Sequence, residues 1–227
     1  MKILAMDSAA ASCSVALWQD GNIIAHRFEE MTRGHASALL PMADDLLQEA
    51  TNTIEEMDAI AVTVGPGGFT GLRIALACAR GFAVAAKRPV IGVTTLEAMA
   101  ESEKGQGQTI LAALDAKRAD LYAQYFDADG KQLTDPVARM PEDIVAMVPA
   151  DTKDILIAGD CFDRVENLFL EKGIKPVAAK TRVPDARAVA ICAAIKGLPS
   201  DPNYRPSAFY IRPPDAELPK NGGRLRP

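Results

Sequence analysis

Apolar residues in this chain recur at two spacings, and the switch between them marks out its elements. Lys2–Asp7, Ser14–Gln19 and Ile23–Glu29 are short strand-like runs, and Asp20–Gly21–Asn22 supplies a hairpin turn between the second and third. From about His35 to Ala50 the spacing changes. Ala36, Leu39, Leu40, Ala43, Leu46, Leu47 and Ala50 recur at i, i+3, i+4 and i+7, which predicts an amphipathic helix. A strand over Asp58–Val64, a glycine-rich turn, a second helix and a strand over Val90–Val93 follow.

The same order returns further along. Thr109–Asp115 (TILAALD) echoes Lys2–Asp7 (KILAMD), each closing on an aspartate. Asp120–Phe126 is the next strand, Asp129–Gly130 the turn, and Gln132–Leu133 the start of a third strand. A helix near Pro141–Val148, a strand at Asp154–Ala158, a helix at Phe162–Lys172, a strand near Lys175–Ala178 and a helix over Asp185–Lys196 complete the pattern. Two βββαβα units predict an α/β chain with a duplicated fold and a mixed five-stranded sheet in each half. The polar, glycine-containing segment Glu101–Gln108 divides residues 1–101 from 102–212. The segment 213–227 carries Pro213, Pro214, Pro219, Gly222, Gly223 and Pro227 and is expected to be a mobile tail. Duplication with an aspartate at the end of each first strand suggests the actin-like ATPase (ASKHA, RNase H-like) architecture. There the two opening hairpins would hold phosphates between the lobes.

The pattern is least ordinary at Val62–Arg88. A buried strand meets a turn of Gly65, Pro66, Gly67, Gly68 and Gly71, and Thr70 is placed to cap a helix from about Gly71 to Lys87. From Ile74 to Ala86 only Arg80 is charged, and most residues are small. Such a helix is covered on most sides, either by its own domain or by another chain.

Composition narrows the function classes. The chain of 227 residues is 48% apolar and 24% charged, with a net charge of −5. That acidity argues against a protein that grips nucleic acid unaided. Cys13, Cys78, Cys161 and Cys192 form no CxxC pair, as expected of reduced thiols in a cytoplasmic protein. The opening KILAMDSAAASC superficially resembles a secretory signal, but Asp7 breaks the apolar run too early. No run is read as long enough to span a membrane.

Familiar chemistries fail on residues. A Walker A loop needs Gly-Lys-Ser/Thr, whereas Gly71 is followed by Leu72 and Arg73. A Rossmann fingerprint beginning at Gly65 meets Thr70 where its last glycine belongs. His35 has Leu39 four residues on instead of a second metal ligand, so no metal site is expected. Asp7, Ser8 and Asp115 are the candidates for a nucleotide-proximal role. Asp7 is followed by Ser8–Ala9–Ala10 without the glycine that lets backbone amides reach a phosphate. Ser8, Ser12 and Ser14 sit in no nucleophile elbow. Two alternatives stay open here: a small-metabolite kinase or ATPase working through Asp7 or Asp115, and a protease acting on a partner.

GPGGFTGLRIALACARGFA, residues 65–83, closely resembles the GPGSFTGLR motif of the bacterial TsaB (YeaZ) family. Further matches are ILAMDSAAASCSVALW (3–18), HASALLPMADDLL (35–47), DAKRADLYAQYF (115–126) and YIRPPDA (210–216). The resemblance implies a two-lobed actin-like fold and a non-catalytic subunit in the synthesis of threonylcarbamoyladenosine in tRNA. It implies the TsaD transferase and the TsaE ATPase as partners, with tRNA met only through the complex. No cofactor of its own is implied, with ATP or ADP possible in the assembly. The partner surface would be built from the helices over 35–50 and 71–87, with Leu39, Ala43, Leu46, Leu72, Leu76, Ala79 and Ala83 as interface positions. The glycine motif comprises Gly65, Pro66, Gly67, Gly68, Phe69, Thr70, Gly71 and Arg73. Gly68 stands where the family has serine. Without its partner, the same surface is expected to form a homodimer.

Overall fold

The two parallel and two antiparallel ladders around Lys2–Asp7 (β1) set the first lobe. In the computed structural model, which describes residues 1–212, β1 runs antiparallel to Ser12–Gln19 (β2) and parallel to Ala59–Gly65 (β4). Asn22–Glu30 (β3) flanks β2, and Val90–Thr94 (β5) flanks β4, giving the order β3-β2-β1-β4-β5. Thr109–Asp115 (β6), Leu121–Phe126 (β7), Val137–Arg139 (β8), Asp154–Gly159 (β9) and Lys175–Ala178 (β10) repeat that arrangement as β8-β7-β6-β9-β10. The duplication expected from the sequence is therefore present, with a mixed five-stranded sheet in each lobe.

Both faces of the first sheet are covered, which is why β1 and β4 are apolar almost throughout. On one face Leu4, Met6, Val15, Ile60 and Val62 pack against His35–Glu49 (α1) and Phe69–Ala86 (α2). On the other, the small side chains of Ala5, Ala16, Ala59 and Ala61 admit an alanine-rich helix, Ala186–Lys196 (α6). Pro141–Ala146 (α4) and Phe162–Glu171 (α5) cover the second sheet through Ile144, Val145, Val165 and Phe169.

Thr95–Ser102 (α3) lies between the lobes: Ala98 joins the first core, while Leu96, Met99 and Ala100 join the second. Its start is fixed by a capping box between Thr94 and Glu97. Glu97 also takes Lys196 at 3.0 Å and Gln132 at 3.0 Å, so one carboxylate ties α3 to α6 and to the second lobe.

Several local expectations are corrected. The helix α2 starts at Phe69 with Gly68 as N-cap, so Thr70 lies inside it and caps nothing; Leu72 N–H already donates to Gly68 O at 2.9 Å. In the second lobe Gln132 forms only a bridge with Phe126, and the third strand waits until Val137. Helix α3 falls where the sequence reading ran from strand into boundary. The segment expected to belong wholly to the second lobe returns α6 to the first sheet, and Tyr204–Tyr210 follows it there. Val90 N–H donates to Tyr204 O at 3.0 Å and Phe209 N–H to Val64 O at 2.7 Å. By length and composition α2 is apolar enough to cross a membrane, against the reading of the sequence, and 33% of it is buried inside the fold. The expected mobile tail, 213–227, lies outside the described residues.

Candidate functional site

The glycine motif packs directly against the β1–β2 turn. Gly68 N–H donates to Ala9 O at 2.7 Å, and the Ser8 hydroxyl donates to Gly71 O at 2.8 Å. A Cβ on Gly67 would lie 2.4 Å from Ala9 O, and one on Gly71 would lie 2.0 Å from Ser8 O. These glycines are thus required by close backbone approach. Gly65 has φ +118°, precedes Pro66 through a cis peptide, and leaves room for the carbonyl of Phe209. His35, at the start of α1, places Nε2 3.1 Å from Ala10 O on the same turn.

Asp7 is sealed beneath this contact. Its Oδ1 accepts from the Thr63 hydroxyl at 2.6 Å and from Ala9 N–H at 3.2 Å, while Oδ2 is buried without a partner. Burial pushes its carboxyl up to about 7, the two hydrogen bonds opposing the shift only in part. A carboxyl so placed is a poor ligand for a cation. Two of the donors that the turn could offer a phosphate are already committed within the chain, the Ala9 N–H to Asp7 and the Ser8 hydroxyl to Gly71 O.

Asp115, the counterpart in the second lobe, is differently held. It accepts from Lys117 N–H at 2.8 Å and from the Arg164 guanidinium at 3.3 Å, and its own N–H donates to Asp160 at 2.8 Å. The partners described for Asp7 and Asp115 have no residue in common.

The seven proposed interface positions lie elsewhere than expected. Leu39, Ala43, Leu46, Leu72, Leu76, Ala79 and Ala83 are all buried within the chain's own first lobe, none more than 4% exposed. They fill the contact between α1, α2 and the sheet and cannot meet a partner without opening the core. The outward positions are their neighbours. On α2 these are Phe69, Arg73, Ala77, Arg80, Gly81 and Val84; on α1 they are Ala36, Leu40, Pro41, Asp44, Asp45 and Gln48. Val84 is 70% exposed and Leu40 52%. A Cβ on Gly81 would meet nothing within 4 Å, so the chain's own packing does not demand glycine there.

The described family model "TsaD: tRNA N6-adenosine threonylcarbamoyltransferase" matches residues 22–192. The tRNA threonylcarbamoyladenosine biosynthesis protein TsaB of Escherichia coli (strain K12) is 42% identical over 131 residues, 57% of this chain and 56% of that one. YeaZ from Pseudomonas aeruginosa, a solved structure, is 31% identical with a TM-score of 0.74, covering 86% of this chain and 92% of its own. The chain belongs to the TsaB (YeaZ) family. Its matches to the first curated TsaB relatives span only about half of their length, 56% and 52%. A ROK hexokinase from Thermus thermophilus, 13% identical with a TM-score of 0.50, covers 86% of this chain and 99% of its own and bears on the fold alone, the actin-like one.

Within the TsaB frame, Gly68 occupies the N-cap of α2 and makes no side-chain cap. A side chain there would meet only Ala9 O at 3.6 Å, so a serine fits the position without disturbing the turn.

Sequence reasoning missed the C-terminal strap. Tyr210 stacks on Phe69 with ring centroids 5.8 Å apart, and the Arg73 guanidinium sits 3.6 Å above the Phe69 ring. Arg80 reaches back to Pro206 O at 2.7 Å, so the outward edge of α2 continues onto this segment. The only signal was the short YIRPPDA match, which begins at Tyr210.

Proposed function

We propose that this chain is a non-catalytic docking subunit in the synthesis of threonylcarbamoyladenosine in tRNA, presenting the outward faces of α1 and α2 to a TsaD transferase. The observation that carries the reading is the pairing of two features. The phosphate-binding turn of an actin-like fold is plugged by the chain's own glycine motif, while its long apolar helix leaves Ala77, Gly81 and Val84 uncovered. A plugged turn disfavours an independent kinase or ATPase. ATP or ADP, where it is used, belongs to the assembled complex and the TsaE ATPase.

Charge supports a helix-on-helix contact. Exposed α1 carries Asp44, Asp45 and Glu49, with Arg27 of β3 against the last two, whereas the charges of α2 are Arg73 and Arg80. An acidic helix beside a basic one is complementary to a copy of itself turned through a two-fold axis, acid over base. The same face therefore serves a related partner of like fold, or a second copy when the partner is missing. Phosphate contacts to tRNA fall to the partner, in keeping with the net charge of −5. Cytoplasmic residence belongs with this reading.

Reconstituted tRNA threonylcarbamoylation tests it: TsaD, TsaE and the adenylate donor, with and without this chain. Modification that requires the chain, with the chain alone inactive, is the expected result. Equal modification without it overturns the proposal.

A further inference from the structure

Residues 59–94 and 202–212 contain no aspartate or glutamate, in a chain that has 30 of them. Their charged side chains are Arg73, Arg80, Lys87, Arg88, Arg205 and Arg212. The fold lays the two stretches side by side. Arg205 Nη2 donates to Ala83 O at 3.3 Å, Arg80 Nη2 to Pro206 O at 2.7 Å, and Tyr210 stacks on Phe69. The strap therefore runs antiparallel along one flank of α2 and ends at its first turn.

The guanidiniums on this edge are held only by neutral groups. Arg73 lies over the Phe69 ring and donates to the Tyr210 hydroxyl at 3.4 Å. Arg80 has the Pro206 carbonyl, and Arg205 has the carbonyls of Ala83 and of Tyr204, the latter at 2.8 Å. Among the described residues none of the three meets a carboxylate. The other cations are turned elsewhere: Arg88 donates to Met57 O at 2.8 Å, and Arg212 pairs with Asp120. Arg73 and Arg80 each make one hydrogen bond, so most of their donors stay free.

Apolar surface accompanies the charge. Phe69 is 52% exposed and Tyr210 43%, so their stack covers only one side of each ring. Arginine beside tyrosine and phenylalanine, with acidic residues missing, is the composition of protein-binding hot spots.

On the docking reading of α2, we infer that the docking face extends over the strap and that this edge receives an acidic segment of the partner protein. Its carboxylates meet Arg73, Arg80 and Arg205, and an apolar side chain rests on the Phe69–Tyr210 stack. Arg73 and Arg80 are seven residues apart, about 10 Å along the helix, which sets the spacing of two of those carboxylates. A protein segment is favoured over RNA. A phosphate backbone laid across the face would meet the acidic row of α1, Asp44, Asp45 and Glu49, whereas a short segment feels only charges within about 8–10 Å.

The test titrates purified TsaD with the full-length chain from about 0.05 M to about 0.5 M salt, and separately mixes the chain alone with unmodified tRNA. Binding to TsaD is expected to weaken at least about tenfold across that range. Arg73→Glu is expected to weaken it about tenfold at low salt and to flatten the salt dependence, while Arg73→Lys keeps that dependence. Tyr210→Ser is expected to weaken it about tenfold with the salt dependence intact. Both positions are exposed, so the variants keep the fold, and thermal unfolding verifies it. Affinity that ignores salt, Arg73→Glu or Tyr210→Ser, while Val84→Arg still abolishes binding, overturns this inference and leaves the docking face standing. Tight binding of tRNA to the chain alone, lost in Arg73→Glu, overturns it in favour of phosphates. A wild-type chain that does not bind TsaD overturns the docking reading, and this inference with it.

Discussion

Ser8 and Gly71 hold each other at the shortest backbone approach of the glycine motif: the Ser8 hydroxyl donates to Gly71 O at 2.8 Å, and a Cβ on Gly71 would stand 2.0 Å from Ser8 O. The contact joins the β1–β2 turn to the first turn of α2. It explains why position 71 is glycine without reference to any phosphate: a side chain there would strike the turn. Gly71→Ala is expected to destabilise the chain by about 1–3 kcal/mol through backbone displacement, read from the urea midpoint. An unchanged midpoint would show that the turn yields freely.

Asp7 carries a pH signature. Its ordinary value is 3.8 and its folded value about 7. Between the two, the folded chain keeps a proton that the unfolded chain has released, so this group makes stability fall as pH rises from about 4 to about 7 and contributes no slope above. Asp7→Asn should flatten that slope, which denaturant midpoints at about pH 5 and about pH 8 would reveal. The same slope in wild type and variant would mean that Asp7 is ionised normally.

Gly68 sits at the N-cap of α2 with φ −62° and ψ 121°, an extended conformation open to serine. Gly68→Ser should therefore stabilise the helix start by roughly 0.2–0.5 kcal/mol, since serine caps slightly better than glycine. Thermal unfolding that moves down instead would place a steric conflict at this turn.

The two kinds of α2 position separate folding from docking. Ala79 is fully buried, so Ala79→Glu buries an unpaired charge and should cost the fold itself. Val84 is exposed, so Val84→Arg should change stability by no more than about 0.5 kcal/mol. Its expected effect is on self-association, measured by sedimentation at micromolar concentration: a dimer for wild type and a monomer for the variant. A wild-type monomer under those conditions would count against self-pairing.

Strands and helices were legible because burial on one face leaves a periodic trace, and both sheets follow it. The outward face of α2 was harder to read, since a helix of alanines has no apolar stripe distinct from its back. The signal was nonetheless there. Arg73 and Arg80 are seven residues apart on one line with Ala77 and Val84, and the structure turns that line to solvent, whereas the larger Leu72 and Leu76 go inward. Helix α3 and the strap left weaker traces. The first is only eight residues long, and the second is held mainly by backbone bonds and by arginines, which leave no period in the sequence. The return of α6 to the first sheet is a tertiary fact: its alanines match Ala5, Ala16, Ala59 and Ala61, and that match becomes visible only when the sheet is built.

Affinity for the TsaD subunit tests the docking account most directly. Titration calorimetry with the wild-type chain and Val84→Arg is expected to give tight binding for the first and a loss of at least about a hundredfold for the second, an arginine forced into the centre of a helix contact. Wild-type affinity retained by Val84→Arg would contradict the assignment of the outward face of α2 to the partner.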